Sequence, residues 1–133
     1  MEQVLSEQVL NALMALLKEI KIWHAKTFPG TTFPGQLLKL EEEIGEFRQA
    51  TTREESLKEL ADVFIVCAGL SRWDSHIAQI ILIEFILKNQ FGFTGEEILQ
   101  AVKAKMEINH KRTEAGVWKQ LPDGRVKHTR EVQ

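Results

Sequence analysis

Glu59-Leu60-Ala61-Asp62-Val63-Phe64-Ile65-Val66-Cys67-Ala68-Gly69-Leu70 decides the fold of this chain. The stretch opens with two carboxylates three residues apart and ends in eight residues without a charge. Residues three or four apart share one helix face. At about 100° of rotation per residue, Glu55, Glu59, Asp62, Val66 and Leu70 fall on one stripe. A face meant for water would not turn apolar one turn later, so Glu59 and Asp62 are read as pointing inward. The rest of the segment is apolar nearly all round and needs burial on every side.

A second acidic pair lies upstream, in Leu40-Glu41-Glu42-Glu43-Ile44-Gly45-Glu46-Phe47. Leu37, Leu40, Ile44 and Phe47 form an apolar arc, and Lys39, Glu43, Glu46 and Ala50 form a stripe along its edge. Twelve residues separate Glu46 from Glu59. Either pair alone would be an ordinary solvated feature. Two pairs, each bordering an apolar line, describe four inward carboxylates. Buried carboxylates without partners are costly and take up protons instead. A divalent cation removes that cost, and hard oxygen ligands suit Mg²⁺ or Mn²⁺. Glu43, Glu46, Glu59 and Asp62 are therefore the expected metal ligands.

The remaining chain supplies more helices. Helical spacing of apolar residues covers Glu2 to Ala25. Two Pro-Gly pairs between Phe28 and Gly35 predict a break, and a second helix follows over about 36–50. Thr52 with Glu55 and Thr94 with Glu97 fit capping boxes that open the third and fifth helices. The fourth is expected from Trp73 to Asn89, with Asp74 or Ser71 as its cap, and the fifth is expected to end near Thr113. Asp123-Gly124 between short mixed segments predicts a hairpin or an extended arm. The expected architecture is all-α: a four- to five-helix bundle over residues 1–113 and a C-terminal tail over 114–133. The apolar segments Val63–Leu70 and Ile77–Leu87 together exceed what a small monomer readily buries. A homodimer with these helices in a shared core is therefore expected, the alternative being one fully central helix in a monomer.

Composition narrows the function classes. One domain suits 133 residues, and a net charge of -2 gives no basic field for a nucleic-acid polymer. No apolar run approaches the roughly 20 residues that span a bilayer, and Ile80-Ile81-Leu82-Ile83 is cut by Glu84, so no membrane role is expected. A single cysteine, Cys67, and no basic-then-apolar leader fit a reducing cytoplasm. Glu107-x-x-His110 has the di-iron spacing, but such bundles need the motif twice and it occurs once. His76 and His128 have no evident partner in the sequence.

The fifth helix carries the complement to the acids. Ile98, Val102, Lys105, Asn109 and Arg112 share a stripe, so a cation, an amide and a cation extend an apolar line. Lysine holds phosphate as a point charge and arginine as a planar fork. With Lys39 they are the expected phosphate ligands, and Arg48 or Arg53 could reach the phosphate tail. Acids for metal and bases for phosphate make a phosphate-ester or anhydride site.

Glu42-Glu43-x-x-Glu46, twelve residues, then Glu59-x-x-Asp62 resembles the signature of the MazG-type all-α nucleoside triphosphate pyrophosphohydrolases, relatives of the dimeric all-α dUTPases. Gln36-x-x-Lys39 before the acids and Lys105-x-x-x-Asn109-x-x-Arg112 after them extend the resemblance over roughly residues 22–112. It implies Mg²⁺-dependent hydrolysis of a nucleoside triphosphate between the α and β phosphates. It also implies metal ligation by Glu43, Glu46, Glu59 and Asp62, and a dimer or a dimer of dimers. Members often carry a Trp soon after the Arg of the last motif; here Thr113-Glu114 follow, and the first Trp is Trp118. Glu42 is the expected catalytic acid or base for the attacking water. Trp23, His24, Phe28, Phe33 and Gln36 are candidates for a base pocket. The rival readings are a non-catalytic nucleotide- or metal-binding helical dimer that acts through a partner, and a plain helical interaction protein with solvated acids.

Overall fold

The computed structural model describes residues 6–87 and 91–132. They form α1 (Glu7–Thr27), α2 (Phe33–Gln49), α3 (Arg53–Leu70), α4 (Ser75–Leu87) and α5 (Gly95–Ala115), then β1 (Trp118–Gln120) and β2 (Val126–His128). Part of the expected first helix, residues 2–5, and residues 88–89 of the expected fourth lie outside the described residues.

Local chemistry sets the helix ends. Ser6, Thr32, Thr52 and Thr94 are N-caps whose hydroxyls accept from Val9, Gly35, Glu55 and Glu97 backbone N–H groups. At Thr94 the box is reciprocal, since the Thr94 N–H donates to Glu97 Oε1 at 3.1 Å. Asp74 Oδ1 accepts from Ile77 N at 3.0 Å and opens α4. α5 ends at Gly116, whose φ of 66° is left-handed. The second helix begins three residues earlier than its sequence pattern predicts. Thr32 caps it, and Pro34 sits in the first turn, where a missing N–H costs nothing.

α3 is the axis of the bundle and packs on each of the other four helices. One side, with Leu60, Ala61, Phe64, Ile65 and Ala68, meets Leu13, Leu17 and Ile20 of α1 and Ile98, Val102 and Met106 of α5. The other side, with Val63, Val66, Cys67 and Leu70, meets Leu40 of α2 and Ala78 of α4. Every residue from Val63 to Leu70 is buried within one chain. The expectation that both apolar segments require a second chain is thus corrected for α3, which four neighbours cover. α4 differs: Ile77, Ile80 and Ile83 are 44%, 58% and 47% exposed. Phe64 is fully buried at the centre, where removing its ring would cost about 3–5 kcal/mol.

The expected hairpin is present. β1 and β2 pair antiparallel with Trp118 opposite His128 and Gln120 opposite Val126. Its turn rests on the start of α2. Gly124 takes a φ of 92°, and a Cβ on Gly35 would lie 2.5 Å from the Gly124 carbonyl carbon. Two glycines therefore let backbone touch backbone, which docks the hairpin beside the acidic helix. No helix among the described residues is long and apolar enough to cross a membrane.

Candidate metal and phosphate site

α2 and α3 run side by side and bring their acids together. One carboxylate oxygen each from Glu43, Glu46 and Glu59 lies within 4.8 Å of the other two. Glu43 is buried, Glu59 half-buried and Glu46 exposed, so the cluster is sunk in the wall but open on one side. Glu43 Oε2 and Glu59 Oε2 are buried and have no hydrogen-bond partner. Unpartnered buried carboxylate oxygens are uncommon because each costs its lost hydration. Burial, with the Asp62 charge next in size, pushes the Glu43 carboxyl up to about 8 against a smaller opposing pull from Lys39. The same two causes raise Glu59 to about 7. The donor set fits a hard divalent cation: three neighbouring carboxylates, two of which carry a buried oxygen without a partner.

Asp62 stands beside this cluster rather than in it. Its Oδ1 lies 3.4 Å from Lys105 Nζ. Burial raises its carboxyl, and Lys105 opposes the rise. Lys39 Nζ is 3.3 Å from Glu43 Oε1. Two expected phosphate ligands therefore neutralise two expected metal ligands.

Glu43, Glu46, Asp62, Lys39 and Lys105 line one cleft of about 420 Å³, whereas Glu59 touches the acid cluster without being a wall of the cleft. Its walls include Lys39, Glu42, Glu43, Glu46 and Asp62 on one side and Lys105, Asn109 and Arg112 on another. Trp23, His24, Phe28 and Gln36 form its aromatic end. Phe33 is not a wall of this cleft, contrary to expectation. As the first residue of α2 its ring turns away, 6.0 Å from the Trp73 ring. Arg53 also points elsewhere: it forks onto Glu97 at 2.6 and 2.8 Å and lies over the Phe93 ring. Arg48 is exposed at the end of α2 and is not among the lining residues.

His24 and Gln36 are held tightly. Arg72 Nη1 lies 3.0 Å from His24 Nδ1. A guanidinium can only donate, so the ring proton is assigned to Nε2, which faces Gln36. Gln36 Nε2 in turn donates to the Val66 carbonyl at 3.0 Å. Gly69 leaves room for this pair, since a Cβ there would lie 2.6 Å from Gln36 Nε2. Burial and the Arg72 charge pull His24 down to about 4. These two side chains are a hydrogen-bonded floor, and the rings of Trp23, Phe28 and Trp118 stand around it. Phe28 lies 5.3 Å from Trp23 and 5.0 Å from Trp118, edge to face in both cases.

The hairpin adds residues that sequence reading did not place. Trp118, Val126, Lys127 and His128 line the cleft. Arg125 Nη1 donates to Glu42 Oε2 at 3.0 Å, and Lys127 Nζ is 3.9 Å from Glu42 Oε1. Glu42 thus contacts three cations, Lys39 being the third at 3.8 Å. Asn109 is buried, and its Oδ1 accepts from Arg112 Nη1 at 3.0 Å. Its carbonyl is spent on orienting Arg112, while its amide donates only to Met106 Sδ, at 3.7 Å. Cys67 is buried and its thiol is pushed up to about 12, so it is a core side chain without thiolate chemistry.

No protein-family model, curated protein or solved structure matches this chain.

Proposed function

We propose that this chain hydrolyses nucleoside triphosphates, with Mg²⁺, between the α and β phosphates. The products are a nucleoside monophosphate and pyrophosphate, and deoxynucleotides, ordinary or modified, are the substrate class. One observation carries the reading: Glu43, Glu46 and Glu59 meet within 4.8 Å beside a cleft whose facing wall offers Lys105 and Arg112. Acids that gather with two buried oxygens unpartnered, near gathered cations, suit a metal-bridged polyphosphate better than a structural role.

Glu43, Glu46 and Glu59 would hold the ion, with Asp62 next to them. When bound, Mg²⁺ supplies Lewis acidity to the phosphate and lowers the pKa of a water. An ion held there would relieve Lys39 of neutralising Glu43, while Lys105 sits beside Asp62 at the same cleft. Both ammonium groups then turn to phosphate oxygens and to the leaving pyrophosphate. Asn109 keeps the Arg112 fork in place for the same task. Glu42 is the candidate to take the proton of the attacking water. The base stacks among Trp23, Phe28 and Trp118, a mode that tolerates any base. Self-association through the exposed Ile77, Ile80 and Ile83 face of α4 belongs to the same proposal, and sedimentation of the purified chain tests it.

The direct test is a panel of dNTPs and NTPs, incubated with Mg²⁺ and resolved by product. Monophosphate with stoichiometric pyrophosphate is expected. Orthophosphate release without pyrophosphate rejects cleavage at the α–β bond. Saturable nucleotide binding with no turnover across the panel favours a binding module.

A further inference from the structure

Arg112 is held by Asn109 on one terminal nitrogen, and the other takes its partner from the chain's own tail. The side chain is 11% exposed, lies over the Trp118 ring and gives Nη1 to Asn109. Its Nε is buried with no partner. Nη2 contacts both carboxylate oxygens of Glu131, each at 3.2 Å. His128 Nε2 lies 2.7 Å from the same Glu131 Oε1. One guanidinium nitrogen and an imidazole therefore converge on one anionic group at the edge of the cleft that both residues line.

The anion they hold is poorly anchored. The Glu131 side chain is 69% exposed, and among the described residues its carboxylate contacts these two side chains alone. An ion pair this open contributes at most about 1 kcal/mol. Arg112 and His128 are set in the bundle and the hairpin, whereas Glu131 follows the last strand and could leave without disturbing either. A phosphate group offers more charge and more acceptor oxygens than a carboxylate, so it would win the same place.

We infer that Arg112 and His128 form a subsite for a phosphate oxyanion and that Glu131 is its intramolecular occupant, displaced when substrate or pyrophosphate binds. This rests on the proposed phosphate chemistry of the cleft and adds two residues to it. His128 becomes a ligand, and Glu131 becomes a competitor that weak anions cannot displace.

Titration calorimetry of the full chain with inorganic pyrophosphate, with and without Mg²⁺, tests the inference. Glu131→Gln should bind pyrophosphate about two- to fivefold more tightly, the range an exposed pair can supply. Glu107→Gln, an equal charge change on an exposed face of α5, should leave affinity unchanged. His128→Asn should weaken binding several-fold, and in Arg112→Lys the gain from Glu131→Gln should disappear. Equal affinity in the wild type and Glu131→Gln, an equal gain in Glu107→Gln, or a gain that survives Arg112→Lys overturns the subsite. If pyrophosphate binds as described but no nucleotide is turned over, the enzymatic reading falls and the subsite stands. Nucleotide turnover with no effect of Glu131→Gln does the reverse.

Discussion

Glu97 and Glu43 are the same side chain in opposite circumstances. Glu97 takes a forked pair of bonds from Arg53 and one from the Thr94 N–H, and these pull its carboxyl down to about 2. Glu43 keeps one buried oxygen without a partner, and burial beside Asp62 pushes its carboxyl up to about 8. Glu97 ties the start of α3 to the start of α5, and its charge is spent on structure. At Glu43 the fold leaves charge unspent. A carboxylate that the protein satisfies holds the bundle together, and one that it leaves unsatisfied is a candidate place for a ligand.

Swapping each acid for its amide separates the two cases most sharply. Glu43→Gln should cut turnover by more than about 100-fold, since it removes an ion ligand, while helix content by circular dichroism stays unchanged. In chelator at pH 8 the same variant should melt higher than the wild type. Relief of even about 1 kcal/mol of buried charge corresponds to roughly 3–6 °C for a chain of this length. Lower melting in Glu43→Gln would make this acid a structural one and collapse the contrast.

The next effect is in pH. Glu43 and Glu59 have folded-state values raised above their unfolded ones, so their stabilising protonation is complete below about 4.5. It is lost as pH rises through about 7 and 8. His24 acts the other way. Its folded value is about 4 against 6.5 unfolded, so stability falls as pH drops through that window, by at most about 3 kcal/mol. Melting in chelator should therefore peak at mildly acidic pH and decline toward pH 8. Saturating Mg²⁺ should remove the alkaline decline, because a bound cation replaces the protons. An alkaline decline that Mg²⁺ leaves untouched argues against ion binding at these acids. In His24→Gln the acidic limb should flatten while the alkaline one persists.

Smaller effects sharpen the contrast from the structural side. Gly35→Ala should undock the hairpin turn, given the 2.5 Å approach to Gly124. The KM for nucleotide should rise several-fold through the misplaced Trp118, Lys127 and His128, with little change in melting. Glu97→Gln should lower melting slightly and leave kcat and KM as they were. Loss of turnover in Glu97→Gln would mean that satisfied acids also serve the chemistry.

The acids at three-residue spacing were legible before any coordinates, because a helix fixes which residues share a face. So were the caps at Thr52 and Thr94, the need of α3 for burial on every side and the turn at Asp123-Gly124. What was not legible depends on how distant segments meet. Arg125 reaches Glu42 across 83 residues, and no local period announces that pairing. Asp62 has the spacing of a ligand, but the register of α3 against α5 gives it Lys105 instead of the three-glutamate cluster. The two Pro-Gly pairs place Phe33 in a loop, and so in a pocket wall. Once Thr32 caps the helix there, the ring is committed to Trp73. His128 had no partner in the sequence, and its two neighbours in space, Trp118 and Glu131, depend on the hairpin being closed.

Titrating the full chain with Mn²⁺ and following the free ion by electron paramagnetic resonance addresses the centre of this account. Uptake of Mn²⁺ by the wild type at pH 7.5, competed by Mg²⁺ and lost in both Glu43→Gln and Glu59→Gln, is the predicted result. Uptake that is absent in the wild type, or unchanged in those two variants, would contradict it.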